Sequence, residues 1–303
     1  MKLGYAKKIR PLRCARGSAS GFCIILLAAA GIAAAERHAA KGIVLKADAG
    51  QHSLVVSCEA IPGYMDAMEM EFTVRESKAL SAMKPGARVS FTIVPRGNKL
   101  YAEDLRETSS VNFESEPMRA GQLTALTNML DPPAKVLDTG QLVPDFALTD
   151  QTGAAVHLAQ FQGKVVALTF GYSRCPNPTY CYRLSNNLQR VEQRFHVRAG
   201  RDLILMTIMI DPEHDQGETL AQYAGIYKAD PAVWHFLTGP LPEIKQVAAG
   251  FGMNFWSVEG LITHSLRTIV IDRQGQLAAN LEGNQFSVRQ LGDLIKTVMD
   301  RPQ

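Results

Sequence analysis

Hydrophobic and polar positions along the 303-residue chain fall into three regimes. A basic leader runs into an unbroken apolar stretch, GFCIILLAAAGIAAA, ending at Ala35. From Gly42 to about Glu107, apolar and polar residues alternate in five short segments: IVLKAD, SLVVSC, MEMEFTV, RVSFTIV and KLYAEDL. Turn residues such as Asp48-Ala49-Gly50, Lys84-Pro85-Gly86 and Arg96-Gly97-Asn98 divide them, so the pattern predicts five strands closing into a small all-β barrel. Further on, period two gives way to near-continuous apolar runs at 165–170 and in LILMTIMI at 203–210, the pattern of strands covered on both faces. Leu184, Leu188, Val191 and Phe195 recur at helical spacing between these runs, so the second half reads as α/β. The polar and Pro-rich pieces SSVNFESEPMRAG and MLDPPAK mark a linker. The predicted organisation is a leader over 1–35, a barrel over 38–108, a linker over 109–136 and an α/β domain over 137–303, with Met118 and Met129 of the linker read as packing residues.

Lys2, Lys7, Lys8, Arg10, Arg13 and Arg16 precede the apolar stretch, which is shorter than the ~20 residues of a spanning helix. That layout predicts a secretory signal peptide cleaved after Ala35 and a periplasmic protein, membrane-anchored only if the segment stays uncleaved. The formal charge of +3 comes from 32 basic against 29 acidic residues. Losing the six basic residues of the leader leaves 26 against 29, with no basic stripe to bind nucleic acid. Of the five cysteines, Cys14 and Cys23 leave with the leader, and Cys58, Cys175 and Cys181 remain. An odd number of thiols in an oxidising compartment points to binding or reactivity.

Chemistry is expected where the run 165–170 ends. Gly171 turns the chain out of the strand, Pro176 and Pro178 deny a helix between Cys175 and Cys181, and helical spacing resumes beyond. Two thiols on a strand-end loop form a redox couple, a metal clamp or a structural disulfide. The segment Asp211 to Asp215 follows the second apolar run and forms another strand-end loop. There Asp211 is a candidate partner behind the site and His214 a spare ligand, or the acidic residues cap the helix ETLAQYAGIYK. Met68 and Met70 stand two apart, so their thioethers share one strand face and suit a soft ion such as Cu(I); otherwise they line the barrel core.

The segments VPDFALTDQTG, LAQFQGKVVALTFGYSRCP, MIDPEHDQGETLAQYA and ITHSLRTIVIDRQGQL resemble the Sco/SenC family. The resemblance implies a thioredoxin-like fold over 137–303 and a copper site made by Cys175, Cys181 and, in its THS context, His264. Five residues separate the cysteines here, where the family usually has three. CEAIPGYMDAMEMEF resembles the CusF-like Cu(I)/Ag(I)-binding barrels, which are OB-like. This second resemblance implies ligands at Met68 and Met70, with Cys58 in the place of the family's histidine and Met65 where some members carry a shielding tryptophan.

Together these resemblances imply copper, as Cu(I) or Cu(II), and a metallochaperone exchanging it with donor or acceptor proteins, cytochrome c oxidase or another cuproprotein among them. Two alternatives remain at this stage. One is a thiol–disulfide oxidoreductase in which Cys175 attacks and Cys181 resolves, although the compact C-x-x-C is absent. The other is a copper buffer for metal tolerance. A peroxidase reading is weaker, because Leu168 and Tyr172 stand where peroxiredoxins place a proline and a Thr or Ser.

Overall fold

The computed structural model describes residues 36–108, 136–258 and 260–302. The expected signal peptide and nearly all of the expected linker lie outside the described residues. The described residues form one compact unit.

The first five strands are β1 (His38–Asp48), β2 (Ser53–Cys58), β3 (Glu69–Thr73), β4 (Arg88–Arg96) and β5 (Lys99–Glu107), closed into a barrel in the order β1-β2-β3-β5-β4. Val44, Leu54, Val56, Phe72, Phe91 and Ile93 fill it. Phe72 and Phe91 meet edge-on with centroids 4.9 Å apart. Where β1 crosses β2, a Cβ on Gly42 would lie 2.5 Å from the carbonyl oxygen of Ser57, so only glycine permits that approach. A short helix, α1 (Ser77–Ala82), buries Leu80 against the barrel core.

The second half opens with the hairpin β6 (Ala147–Thr149) and β7 (Ala155–His157). It continues through β8 (Val165–Gly171), α2 (Cys181–Arg194), β9 (Leu203–Met209), α3 (Gly217–Ile226), β10 (Trp234–Leu237) and α4 (Leu241–Gly250). A second hairpin, β11 (Phe255–Val258) and β12 (Leu261–His264), precedes β13 (Arg267–Ile271), β14 (Leu277–Glu282) and α5 (Val288–Met299). The sheet order is β10-β9-β8-β13-β14, with β8, β9 and β10 parallel and β13 antiparallel to both its neighbours. Every residue of β8 and β9 is buried, because helices cover both faces of the sheet. Val165 and Ala167 pack with Leu184 and Leu188 of α2 and Leu291 and Leu294 of α5. Val166, Leu168 and Phe170 face Ile244 and Ala248 of α4. This half is thioredoxin-like.

Barrel and sheet share buried surface. Ile43 and Leu45 of β1 point out of the barrel and join the cluster of Ala279, Leu281 and the α5 side chains. Beside them, the Ser57 hydroxyl donates to Asp293 at 2.8 Å, Arg194 pairs with the same carboxylate at 2.6 Å, and Gln290 donates to the Ser57 carbonyl at 3.3 Å. A buried carboxylate serving two donors is tolerated because both are present. Asp293→Ala strands both and should cost about 2 kcal/mol. Thermal unfolding of the wild type should follow one transition in barrel and sheet probes alike; two well-separated transitions would show that the shared seam carries little.

Candidate metal centres

β8 delivers the chain to Gly171, and Cys175 follows on the connecting loop while Cys181 opens α2. At Gly171, a Cβ would meet the Cys181 Cβ at 3.8 Å and its Sγ at 3.9 Å, so the strand end and the helix start are in close contact. His264 ends β12, and its Nε2 lies 3.7 Å from the Cys181 sulfur. Its Nδ1 sits 2.9 Å from the Ser265 carbonyl oxygen, which places the ring proton on Nδ1 and turns the Nε2 lone pair toward the thiols. All three side chains are buried and both cysteines are free. The structure therefore brings together Cys175 and Cys181, on one loop and the helix it enters, with His264 at the end of β12. Among the described residues no three His, Cys, Asp or Glu groups close into a preformed metal cage. The trio is a set of neighbouring soft donors rather than a closed cage.

The surroundings of the two thiols push them in opposite directions. A hydrogen bond from Cys181 holds the Cys175 thiol below its ordinary value, aided by His264 and by the backbone N–H at the start of α2. The same bond, with burial, pushes Cys181 upward. Cys175 is thus the thiolate of the pair. Tyr172 stands against both, its ring edge-on to His264 with centroids 5.8 Å apart. Burial, and then the two adjacent sulfurs, push its phenol up to about 12.

Two carboxylates after β9 brace this loop from behind. Asp211 accepts from Nε and Nη2 of Arg174 at 3.1 and 2.7 Å and lies 2.9 Å from Nδ1 of His214. Asp215, fully buried, accepts both the backbone N–H and the hydroxyl of Ser173. Asp211 therefore reaches the cysteines only through Arg174, the residue before Cys175. His214 is directed at Asp211, and its side chain is half exposed. The helix-cap alternative is not what forms: Gln216 occupies the N-cap of α3 without a side-chain bond, and Asp215 turns to Ser173 instead. Sequence reasoning missed Tyr172, Ser173 and Arg174 as parts of the site, although all three lie on the strand-end loop that carries Cys175.

In the barrel, Val56 of β2 faces Met70 of β3, and Cys58 donates its backbone N–H to the Met68 carbonyl at 2.9 Å. Cys58, Met68 and Met70 therefore gather at one barrel end. Their exposures differ sharply: Met68 is 46% exposed, Met70 partly buried and Cys58 sealed at 0%. Burial, then the neighbouring Glu59, raises the Cys58 thiol to about 12, and its sulfur lies 3.8 Å from the Val56 carbonyl oxygen. Met65 packs at the rim of the barrel core.

A model of the SCO1/SenC family matches residues 134–300, more than half of the chain. The chain belongs to the SCO1/SenC family. A model described as copper binding periplasmic protein CusF matches residues 37–107, the barrel. An SCO2-like protein of Rickettsia typhi is 30% identical over 140 residues, covering 43% of this chain and 65% of that protein. Among solved structures, Arabidopsis thaliana ScoI with copper bound is 24% identical, with a TM-score of 0.47 over 53% of this chain and all of that one. Yeast Sco1 with copper bound is 24% identical, with a TM-score of 0.44 over 52% of this chain and 87% of that one. Each of these aligns with about half of the present chain or less.

The opposed environments of the thiols give a direct test. Thiolate, not thiol, reacts with iodoacetamide, and a depressed value keeps Cys175 ionised as pH falls below the ordinary ~8.5 of a free thiol. Native Cys175 should alkylate at pH 6 within about twofold of its rate at pH 8, while Cys58 stays unmodified. A rate at Cys175 climbing about tenfold per pH unit over that interval would contradict a depressed thiol at Cys175.

Proposed function

We propose that this chain is a periplasmic copper metallochaperone that holds Cu(I) between Cys175, Cys181 and His264 and passes it by ligand exchange to cytochrome c oxidase or another cuproprotein. The observation carrying this reading is the convergence of two thiols with an imidazole whose free lone pair faces them. Two soft sulfurs favour Cu(I), and a neutral imidazole completes a low-coordinate site that also accepts Cu(II). Copper is cargo here, so the site must release it. A low-coordinate site of two thiols and one imidazole, with Cys175 favoured as the thiolate, lets an incoming donor replace one ligand at a time. Membership in the SCO1/SenC family and the CusF match to the barrel support copper as the metal. In the barrel, Met68 and Met70 are proposed as thioether ligands of a second soft-metal site, on the face that alternation gives them.

Anaerobic titration of the reduced chain tests this assignment. Cu(II) on thiolates gives intense charge-transfer absorption, and His264→Ala should weaken that band and lower copper affinity by more than about tenfold. An unchanged spectrum and affinity would remove His264 from the ligand set.

A second reading, thiol–disulfide exchange, draws support from the Cys175 thiolate beside a protonated Cys181. Cys175 would attack a partner's disulfide, the displaced partner sulfur leaving as thiolate; Cys181 would then attack the mixed disulfide, giving a Cys175–Cys181 disulfide and a fully reduced partner. The two readings are linked, because a disulfide has no thiolate to offer copper. Oxidising Cys175 and Cys181 should abolish binding at that site and spare the barrel. Copper uptake by the oxidised chain at the same stoichiometry as the reduced chain would refute the two-cysteine clamp.

A further inference from the structure

The proposed barrel site lacks an accessible third donor. Cys58 is sealed and protonated, and its sulfur faces a backbone carbonyl. His38, at the start of β1, answers the deficit. It pairs in register with Ile93, a fully buried residue of the barrel core, so its side chain takes the inward-facing position. The start of β1 lies at the same barrel end as the close of β2 and the start of β3, because β1 and β2 are antiparallel, as are β2 and β3. Met68 and Met70 stand at that end.

Two features of His38 go unexplained by packing. Its Nε2 is buried and has no hydrogen-bond partner among the described residues; the nearest charged group is the exposed carboxylate of Glu36, 3.6 Å away. A buried nitrogen without a partner costs free energy unless something else binds it. The imidazole is also held flat against Tyr64, with ring centroids 3.6 Å apart and planes 18° from parallel. Tyr64 is placed by the turn that Ile61 and Met65 close with two reciprocal backbone bonds of 2.9 and 3.0 Å. That turn is part of the segment joining Cys58 to Met68, so the connection that brings the thioethers back to the barrel also clamps the imidazole.

We propose that His38 supplies, through Nε2, the nitrogen ligand of a Cu(I)- or Ag(I)-binding site whose sulfurs are Met68 and Met70, with Cys58 serving as barrel packing beneath it. Thioethers with one neutral imidazole make a donor set without charge, selective for monovalent soft ions over Zn(II). The inference rests on the barrel site proposed above.

The test uses the full chain carrying Cys175→Ser and Cys181→Ser, which silences the other centre, titrated with Ag(I) against a competing chelator. His38→Gln should weaken binding at least about tenfold. In the protein with His38 intact, Ag(I) should shift the imidazole nitrogen resonance of His38, while that of His52, whose Nδ1 faces the Val74 carbonyl at 3.1 Å, stays in place. If Met68→Ala/Met70→Ala abolishes binding but the His38 resonance does not move and His38→Gln binds as before, His38 is not a ligand and the thioether site stands. If neither variant changes binding, the barrel site itself is refuted and this proposal with it. Should His38→Gln fail to fold, as judged by circular dichroism, the resonance shift decides alone.

Discussion

Asp215 holds the loop on which the sulfur chemistry depends. Between Gly171 and Cys181 the chain has no ladder or helix to satisfy its backbone, and Pro176 and Pro178 remove donors from it. The carboxylate of Asp215, buried and raised in pKa chiefly by that burial, takes both donors of Ser173, and Asp211 clamps Arg174 next to it. Cys175 is therefore set by anchors immediately before it, Cys181 by the helix it begins, and the distance between the sulfurs follows from both.

Much of this was legible in the sequence. Alternation announced the barrel strands, and the continuous runs at 165–170 and 203–210 announced buried sheet strands with loops at their ends. The role of the Asp211 to Asp215 segment was not, because an acidic residue ahead of a helix looks the same whether it caps that helix or reaches across to another loop; only tertiary contact separates the two. His38 carried no periodic signal, being one polar residue at a strand start. The docking of barrel on sheet did leave a trace. Ile43, Val44 and Leu45 are apolar in succession, and a barrel strand with one face in solvent would have alternated through them; the outward pair is covered by the α5 side of the sheet.

Three cysteines of identical covalent structure show how far surroundings set chemistry. Cys58 and Cys175 are both nearly inaccessible, yet one is driven toward the neutral thiol by an apolar barrel and the other toward the thiolate by a neighbouring donor, an imidazole and a helix start. Burial alone does not predict reactivity; the donors that accompany it do.

Cys181 and His264 lie 83 positions apart along the chain, with two of the five sheet strands, β9 and β10, between them. An ion bound to both therefore cross-links distant parts of the fold, and its binding energy is added to the folding energy in proportion to the logarithm of its concentration over the dissociation constant. Occupancy of such a site would set how often the chain opens: the ion-free form would open more often than the ion-bound one, and a protease that samples open chains would remove it first.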